Sequence, residues 1–168
     1  HRMYDLVEAF SEYRNISNLT TKLEKVNVNE LVSEIQYDLN IDSSIIKTNI
    51  KPQITSNRLI LKLIFENLIK NSLDHNPGKD VNINISGTID SYKNYTFTVS
   101  DNGIGIDPKY KDKVFEMFQT LETKDKIGKI GNGLFLVKKM VTKLNGKIWI
   151  NTAPRKGLQI IFILPQKM

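Results

Sequence analysis

The chain reads as a single mixed α/β domain, and three features carry that reading. Short runs with apolar residues at every second position, such as Tyr95, Phe97 and Val99, have the period of half-buried strands. They are interspersed with stretches whose apolar residues recur every three to four positions, the period of amphipathic helices. Glycines cluster at two junctions: Gly103 and Gly105 follow a strand, and Gly131 and Gly133 open a helix.

The bulk properties narrow the chemistry. A length of 168 residues suits one domain with a real core. Hydrophobic residues at 40% and charged residues at 25% are ordinary for a globular chain. The absence of cysteine excludes disulfides and thiolate metal sites. His1 and His75 lie far apart in sequence, so an imidazole-rich metal site is not expected. A metal here should be a hard cation held by oxygen, which points to magnesium. No apolar run reaches the ~20 residues of a membrane span, and no secretory signal opens the chain. A cytoplasmic location is expected, in a parent that a segment elsewhere could anchor to a membrane. The net charge of +6 favours an anionic ligand. The lysines are spread over many segments without aromatic interleaving, so nucleic acid is not an expected partner.

In chain order, Met3, Leu6, Val7, Phe10 and Tyr13 form a near-heptad seam within Arg2–Ile16. This segment packs either on a partner helix or on its own domain. A polar connector follows, with a short strand at Lys25–Val28. Asn29 is expected to cap a helix with Leu31, Ile35 and Leu39 on one face. Ile45–Ile50 reads as a weak strand. Thr55 or Ser56 is expected to cap the next helix, which runs to about His75. Its apolar side is Leu59, Ile60, Leu63, Ile64 and Leu68. Asn67, Asn71, Asp74 and His75 share another face, through which an amide oxygen could reach Mg²⁺ or a polar ligand. A solvated polar face is the plainer reading of the same spacing.

Asn76-Pro77-Gly78 should end that helix, and Val81, Ile83 and Ile85 alternate as a strand. The strand at Tyr95–Ser100 leads into Asp101-Asn102-Gly103-Ile104-Gly105-Ile106. A carboxylate accepts hydrogen bonds only, which suits an exocyclic amine, and glycine lets the backbone approach a flat ligand. Asp/Asn-Gly is equally a hairpin signal. Pro108–Phe118 is expected as a short helix, and residues 119–130 as a mobile, lysine-rich loop. Gly131-Asn132-Gly133-Leu134 opens a helix with Val137, Met140, Val141 and Leu144 on its apolar face. Glycines before a helix N-terminus suit a phosphate, although the pattern is neither a P-loop nor a Rossmann fingerprint. Gly146 is the expected C-cap. Ile148–Ile150 and Leu158–Leu164 complete the chain as strands.

Taken together, these stretches resemble the ATP-binding catalytic domain of sensor histidine kinases. That family belongs with the heat-shock chaperone, gyrase and mismatch-repair ATPases. The asparagine motif is similar to Glu66-Asn67-Leu68-Ile69-Lys70-Asn71, and the first glycine motif to Asp101-Asn102-Gly103-Ile104-Gly105. The phenylalanine motif is similar to Phe115-Glu116-Met117-Phe118, and the second glycine motif to Gly131-Asn132-Gly133-Leu134. Order and spacing match across Leu59–Pro165.

The resemblance implies a two-layer α/β sandwich, with a mixed, mostly antiparallel sheet covered by helices on one face. It implies ATP and Mg²⁺ as ligands, with Asp101 taking the adenine amine, Asn71 holding magnesium and Asn67 near the phosphates as the catalytic pair's other member. Gly103, Gly105 and Ile106 would line the base, and Asp74 and His75 would lie at the helix end facing the nucleotide. Phe118, Lys129, Gly131, Asn132, Gly133 and Leu134 would belong to the lid side of the nucleotide site. Residues 1–18 resemble the end of the dimerisation and phosphoacceptor hairpin, and 19–168 the catalytic domain. The implied enzyme is a protein-histidine kinase fragment that lacks its acceptor. Its implied partners are the parent's phosphoacceptor helix, a response-regulator receiver domain and a second copy in the full-length homodimer.

Two positions depart from the pattern. Asp74 stands where a cation is usual; at ~6 Å and an effective dielectric of ~20, one charge pair amounts to about 3 kcal/mol before screening. Lys129 stands where a further glycine is usual. These leave room for a degenerate module that binds nucleotide and signals without phosphoryl transfer. A hydrolase is the third reading, but relatives of that kind carry a glutamate base where this chain has Asn67. Glu66 is one position off, about 100° around the helix.

Overall fold

The computed structural model describes residues 7, 11, 14–20, 22–50, 53–76, 78, 80–116, 133–152 and 156–166. Most of the expected helix at Arg2–Ile16 lies outside them, although residues 14–18 are helical. The 119–130 loop also lies outside them.

The order of elements is β1 (Glu24–Val26), α1 (Val28–Asp38), β2 (Ile46–Ile50), β3 (Ile54–Ser56) and α2 (Arg58–Asp74). Then come β4 (Ile83–Ile89), β5 (Asn94–Asp101), α3 (Gly133–Lys143), β6 (Lys147–Thr152) and β7 (Leu158–Pro165). The main sheet has the strand order β2-β4-β5-β7-β6, and β1 pairs with β3 in a separate ribbon. Only β2 and β4 run parallel; the other neighbours in the main sheet are antiparallel. The mixed, mostly antiparallel sheet expected from the resemblance is therefore present.

Alternation decides which face is covered. Tyr95, Phe97 and Val99 on β5 are buried, as are Ile83 and Ile85 on β4 and Leu158, Ile160, Phe162 and Leu164 on β7. Register aligns Phe97 between Gly87 and Phe162 across three strands. Phe65 of α2 sits over this point, edge-on to Phe97 at 5.5 Å and 5.6 Å from Phe162. Phe97 and Phe162 stack at 5.1 Å. A side chain at Gly87 would come within 2.9 Å of Ile50 Cγ2 and 3.0 Å of Phe97 Cε1, so glycine makes room for the aromatic layer. The opposite face, with Thr96, Thr98, Ile161 and Ile163 half-buried and Trp149 exposed, carries no described helix.

The helix caps differ from the sequence expectations. Asn27, not Asn29, caps α1: its side chain accepts from the amides of Asn29 and Glu30 at 3.1 and 3.4 Å. Its side-chain nitrogen donates to Glu30 Oε1 at 2.9 Å, fixing the capping amide. Asn29 instead donates to the Ile50 carbonyl at 2.9 Å, tying α1 to β2. Asn57 caps α2, accepting from Ile60 N at 2.9 Å, because Thr55 and Ser56 are already committed to β3. Leu59 is 51% exposed rather than part of the apolar side; the buried stripe is Ile60, Leu61, Ile64, Phe65, Leu68, Ile69 and Ser72. The expected Pro108–Phe118 helix is two 3-10 turns, Pro108–Tyr110 and Lys113–Phe115, ended by the extended backbone of Glu116. At the end of α3 the left-handed residue is Asn145, with φ 60°, rather than Gly146. Gly146 N then bonds Val141 O at 2.8 Å, and a side chain there would overlap the Ile163 carbonyl.

A charge cluster joins the exposed sides of α1 and α2. Lys62 reaches Glu34 at 2.6 Å and Asp38 at 2.8 Å, and Arg58 also pairs with Glu34. The hydrogen bond from Lys62, then that from Arg58, holds the Glu34 carboxyl below the ordinary glutamate range. A depressed folded-state value contributes stability above the unfolded value and loses it as pH falls through the folded one. We expect unfolding free energy to decline below about pH 4.3, the ordinary glutamate value, with Glu34→Gln flattening that decline. Denaturant titrations from pH 3 to 7 (roughly the span over which carboxylates charge) check this. Identical slopes for parent and variant would contradict it.

Candidate nucleotide-binding site

The site grows from the end of β5. Two-residue periodicity carries the helix-facing side from Tyr95 through Phe97 and Val99 to Asp101. On α2 the buried stripe Leu61, Phe65, Leu68 and Ser72 runs along the sheet and ends in a hydroxyl. The two rows meet where Ser72 Oγ donates to Asp101 Oδ2 at 3.0 Å. Asp101 Oδ1 accepts from the Gly103 and Leu158 amides at 2.9 and 3.1 Å. A carboxylate has about four acceptor positions, so three donors orient it and leave capacity for a ligand amine.

The backbone around this carboxylate leaves little space. Gly157 has φ +79°, and a side chain there would overlap the Asp101 carbonyl and come within 3.2 Å of Asn102 Cα. A side chain at Gly103 would lie 2.7 Å from the His75 carbonyl. That carbonyl also accepts from Ile104 N at 3.3 Å, fastening the end of α2 to the glycine segment. Asn102 accepts from Asn76 Nδ2 at 2.6 Å and Asn82 N at 2.8 Å, and donates to Asp80 O at 2.7 Å. Gly105 takes φ 68°. Thr152 then fixes the next residue, its hydroxyl accepting from Ile106 N at 2.9 Å and donating to Ile106 O at 3.0 Å. The segment after Asp101 is thus a braced loop on the sheet, not a hairpin turn: β5 pairs with β4 and β7.

The second half of the site lies between α2 and α3. Asn67 Nδ2 donates to Leu63 O at 2.8 Å, which fixes the amide and leaves Oδ1 free of that bond. A side chain at Gly133, the first residue of α3, would sit 3.5 Å from Asn67 Oδ1. The amide of Asn67 therefore faces the N-terminus of α3, where unpaired N–H groups and the helix dipole favour an anion. Leu134 is buried beneath this end. Asn71 is half-buried one turn further along α2; its carbonyl accepts from His75 N at 3.1 Å, while its side chain makes no hydrogen bond to another described residue. Its free amide oxygen suits a hard cation. No group of three or more His, Cys, Asp or Glu that could hold a metal occurs among the described residues. Magnesium would thus be held by this one oxygen together with phosphates and water, a common arrangement for that ion. Asp74 and His75 are exposed, so solvent screens the charge of Asp74.

The structure thus gathers Asp101, Gly103, Gly105, Ile106 and His75 at one end, and Asn67, Gly133 and Leu134 at the other. Asn71 and Asp74 lie along the helix that joins the two. Phe118, Lys129, Gly131 and Asn132 lie outside the described residues. Ser72, Thr152, Gly157 and Leu158 belong to the site without having been singled out. Ser72 could have been found from its position in an otherwise apolar stripe. No helix among the described residues is long and apolar enough to cross a membrane.

The fold is shared with proteins already known. The family model for histidine kinase-, DNA gyrase B-, and HSP90-like ATPases matches residues 56–168. The phytochrome-like protein Cph1 of Synechocystis is 29% identical over 97% of this chain and 22% of its own length. The sensor protein kinase WalK of Staphylococcus saprophyticus is 34% identical over 61% of this chain and 17% of its own. Full-length ShkA, solved in complex with AMPPNP, superposes with a TM-score of 0.81 at 16% identity, covering 99% of this chain and 36% of that one. The chain belongs to the histidine kinase-, DNA gyrase B-, and HSP90-like ATPase family, and its ATP-binding domain is of the histidine-kinase type. It spans about a fifth of the length of the curated relatives it matches.

Gly157→Ala tests the bracing. Left-handed backbone costs a non-glycine residue ~1–2 kcal/mol, and overlap with the Asp101 carbonyl adds ~1–3 kcal/mol. We expect urea titration to read at least the lower sum, and calorimetry to read a loss of ATP affinity of about tenfold or more. Parent-like stability and affinity would contradict the packing described.

Proposed function

We propose that this chain is the catalytic ATP-binding module of a two-component sensor histidine kinase, which binds Mg·ATP and donates the γ-phosphoryl to a histidine outside residues 1–168. The observation that carries the proposal is the Asp101 carboxylate, held by Ser72, Gly103 N and Leu158 N at the end of β5 with Gly103 and Gly157 packed beside it. In this reading Asp101 accepts the adenine amine, and Gly103, Gly105 and Ile106 let the base lie against the sheet end. Asn67 and the α3 N-terminus at Gly133 receive the phosphates, with Leu134 packed below. Asn71 contributes its amide oxygen to magnesium, which when bound neutralises phosphate charge. Phe118, Lys129, Gly131 and Asn132 are assigned to the lid side by family resemblance.

Phosphoryl transfer depends chiefly on positioning and charge stabilisation, so a module without its own nucleophile is chemically complete. Residues 1–18 are assigned to the dimerisation hairpin and 19–168 to the catalytic domain. The partners are then an acceptor-histidine helix, a response-regulator receiver domain and a second copy of the parent, in the cytoplasm. Glu66 does not favour hydrolysis, because its carboxylate is paired with Lys70 at 2.5 Å along the helix.

Calorimetry with ATP, with and without Mg²⁺, tests the assignment. Asp101→Asn places a donor against the adenine amine and should weaken ATP binding by about a hundredfold, the cost of one lost and one opposed hydrogen bond to a charged group. Asn71→Ala should retain magnesium-free binding while losing the gain that Mg²⁺ gives the parent. Parent-like affinity in Asp101→Asn, or an unaltered magnesium effect in Asn71→Ala, would overturn the corresponding role.

A further inference from the structure

The two helices that face the proposed nucleotide also hold, at their far ends, the segment that leaves the N-terminal helix. Asn57 is 6% exposed and uses its oxygen to cap α2 through Ile60 N. Its amide nitrogen is spent elsewhere, donating to the carbonyls of Thr20 and Lys22 at 2.7 and 3.2 Å. At the end of α3, Lys143 Nζ donates to the Ser17 carbonyl at 2.9 Å. That carbonyl lies in the last turn of helical residues 14–18, where a cation complements the helix dipole. Beside these polar contacts, Ile16 is buried and Leu19 packs on the core. Asn15, Ile16 and Leu19 border a cavity of about 290 Å³ with Leu63 and Asn67 of α2 and Met140 of α3.

We infer that Asn57 and Lys143 are positioning residues that strap Ser17, Thr20 and Lys22 across the ends of α2 and α3, and so set the direction in which the N-terminal helix leaves the ATP-binding domain. The inference rests on the proposed function for its consequence, since α2 and α3 carry Asn67, Asn71 and Gly133. Their rods join phosphate-facing residues to the strap: α3, 11 residues long, spans about 16 Å from Gly133 to Lys143. Displacement of either helix by a bound nucleotide would move a strap contact with it. A residue that acted only as a helix cap would need no amide nitrogen. Serine and asparagine cap about equally well; only the amide reaches the carbonyls of Thr20 and Lys22.

That difference supplies the test. Asn57→Ser keeps a capping oxygen and removes the strap donor, and Lys143→Met keeps the apolar stem and removes the amine. Because the chain has no cysteine, spin labels can be placed at Ser11→Cys and Thr88→Cys, both exposed, without competing thiols. Pulsed dipolar spectroscopy on the 168-residue chain then reads the orientation of the N-terminal helix, and calorimetry reads ATP affinity. We expect each variant to broaden the label–label distance distribution by roughly twofold or more, as released segments sample further states, with ATP affinity within about threefold of the parent. Parent-like distributions in both variants would overturn the strap. Failure of the parent to bind ATP would instead overturn the proposed function and leave the distance result to judge the strap alone.

Discussion

The geometry of the site depends on one carboxylate held by donors from three different parts of the chain. Ser72 comes from α2, Gly103 from the glycine segment and Leu158 from β7. Hydrogen bonds to a charged group contribute about 1.5–3 kcal/mol each, so these contacts fix the strand end, the helix end and the loop together. All three donors are neutral. They orient the charge without cancelling it, and Asp101 keeps its capacity to accept a further amine. The constraint also accounts for the bare backbone nearby. Gly157 and Gly103 lie where a side chain would press on Asp101 or on the carbonyl that ends α2.

The core exists to hold α2 at the right height over the sheet. Phe65 rests on Phe97 and Phe162, and Gly87 opens the space that the Phe97 ring fills. From that anchor α2 presents polar residues at its cap and along its last two turns. Asn57 at its start grips the incoming chain, Asn67 faces the start of α3, Asn71 is the proposed magnesium ligand, and Ser72 meets Asp101. In the proposed reading the site is therefore built along one helix, and the sheet supplies the floor and the end that would meet the base. Asp74 lies in solvent at the last turn, which weakens the objection its charge raised in the sequence.

Much of this was legible in the residues. The strands were readable because one face is buried and the other is not, so β5 and β7 alternate cleanly. The parallel pairing of β2 with β4 was not, because Ile46–Ile50 carries apolar residues only at its ends. Caps were misplaced by one or two residues wherever several candidates stood in a row. Only pairing of β3 with β1 removes Thr55 and Ser56 from contention. Asp101, Asn67, Asn71 and the glycines stood out as polar or small residues breaking a pattern. Ser72 also breaks an apolar stripe, but its role is readable only once its partner Asp101 is known. Thr152 and Gly157 lie 46 and 56 residues or so from the residues they brace, beyond any local pattern.

The central claim is that Asp101 selects its ligand by accepting from an exocyclic amine, and the base itself can be varied to test it without changing the protein. Inosine triphosphate keeps the triphosphate, the sugar and the ring system, and puts a carbonyl oxygen where ATP has the amine. Calorimetry of the unaltered chain with each nucleotide, at one magnesium and salt concentration, compares the two base edges, inosine also carrying a proton on N1 where adenine has an acceptor. Two facing acceptors oppose each other at the half-buried Asp101 carboxylate, so inosine triphosphate should bind about a hundredfold more weakly than ATP. Equal affinities would contradict the account, because the carboxylate that the helix, the loop and the sheet converge to hold would then not be reading the base.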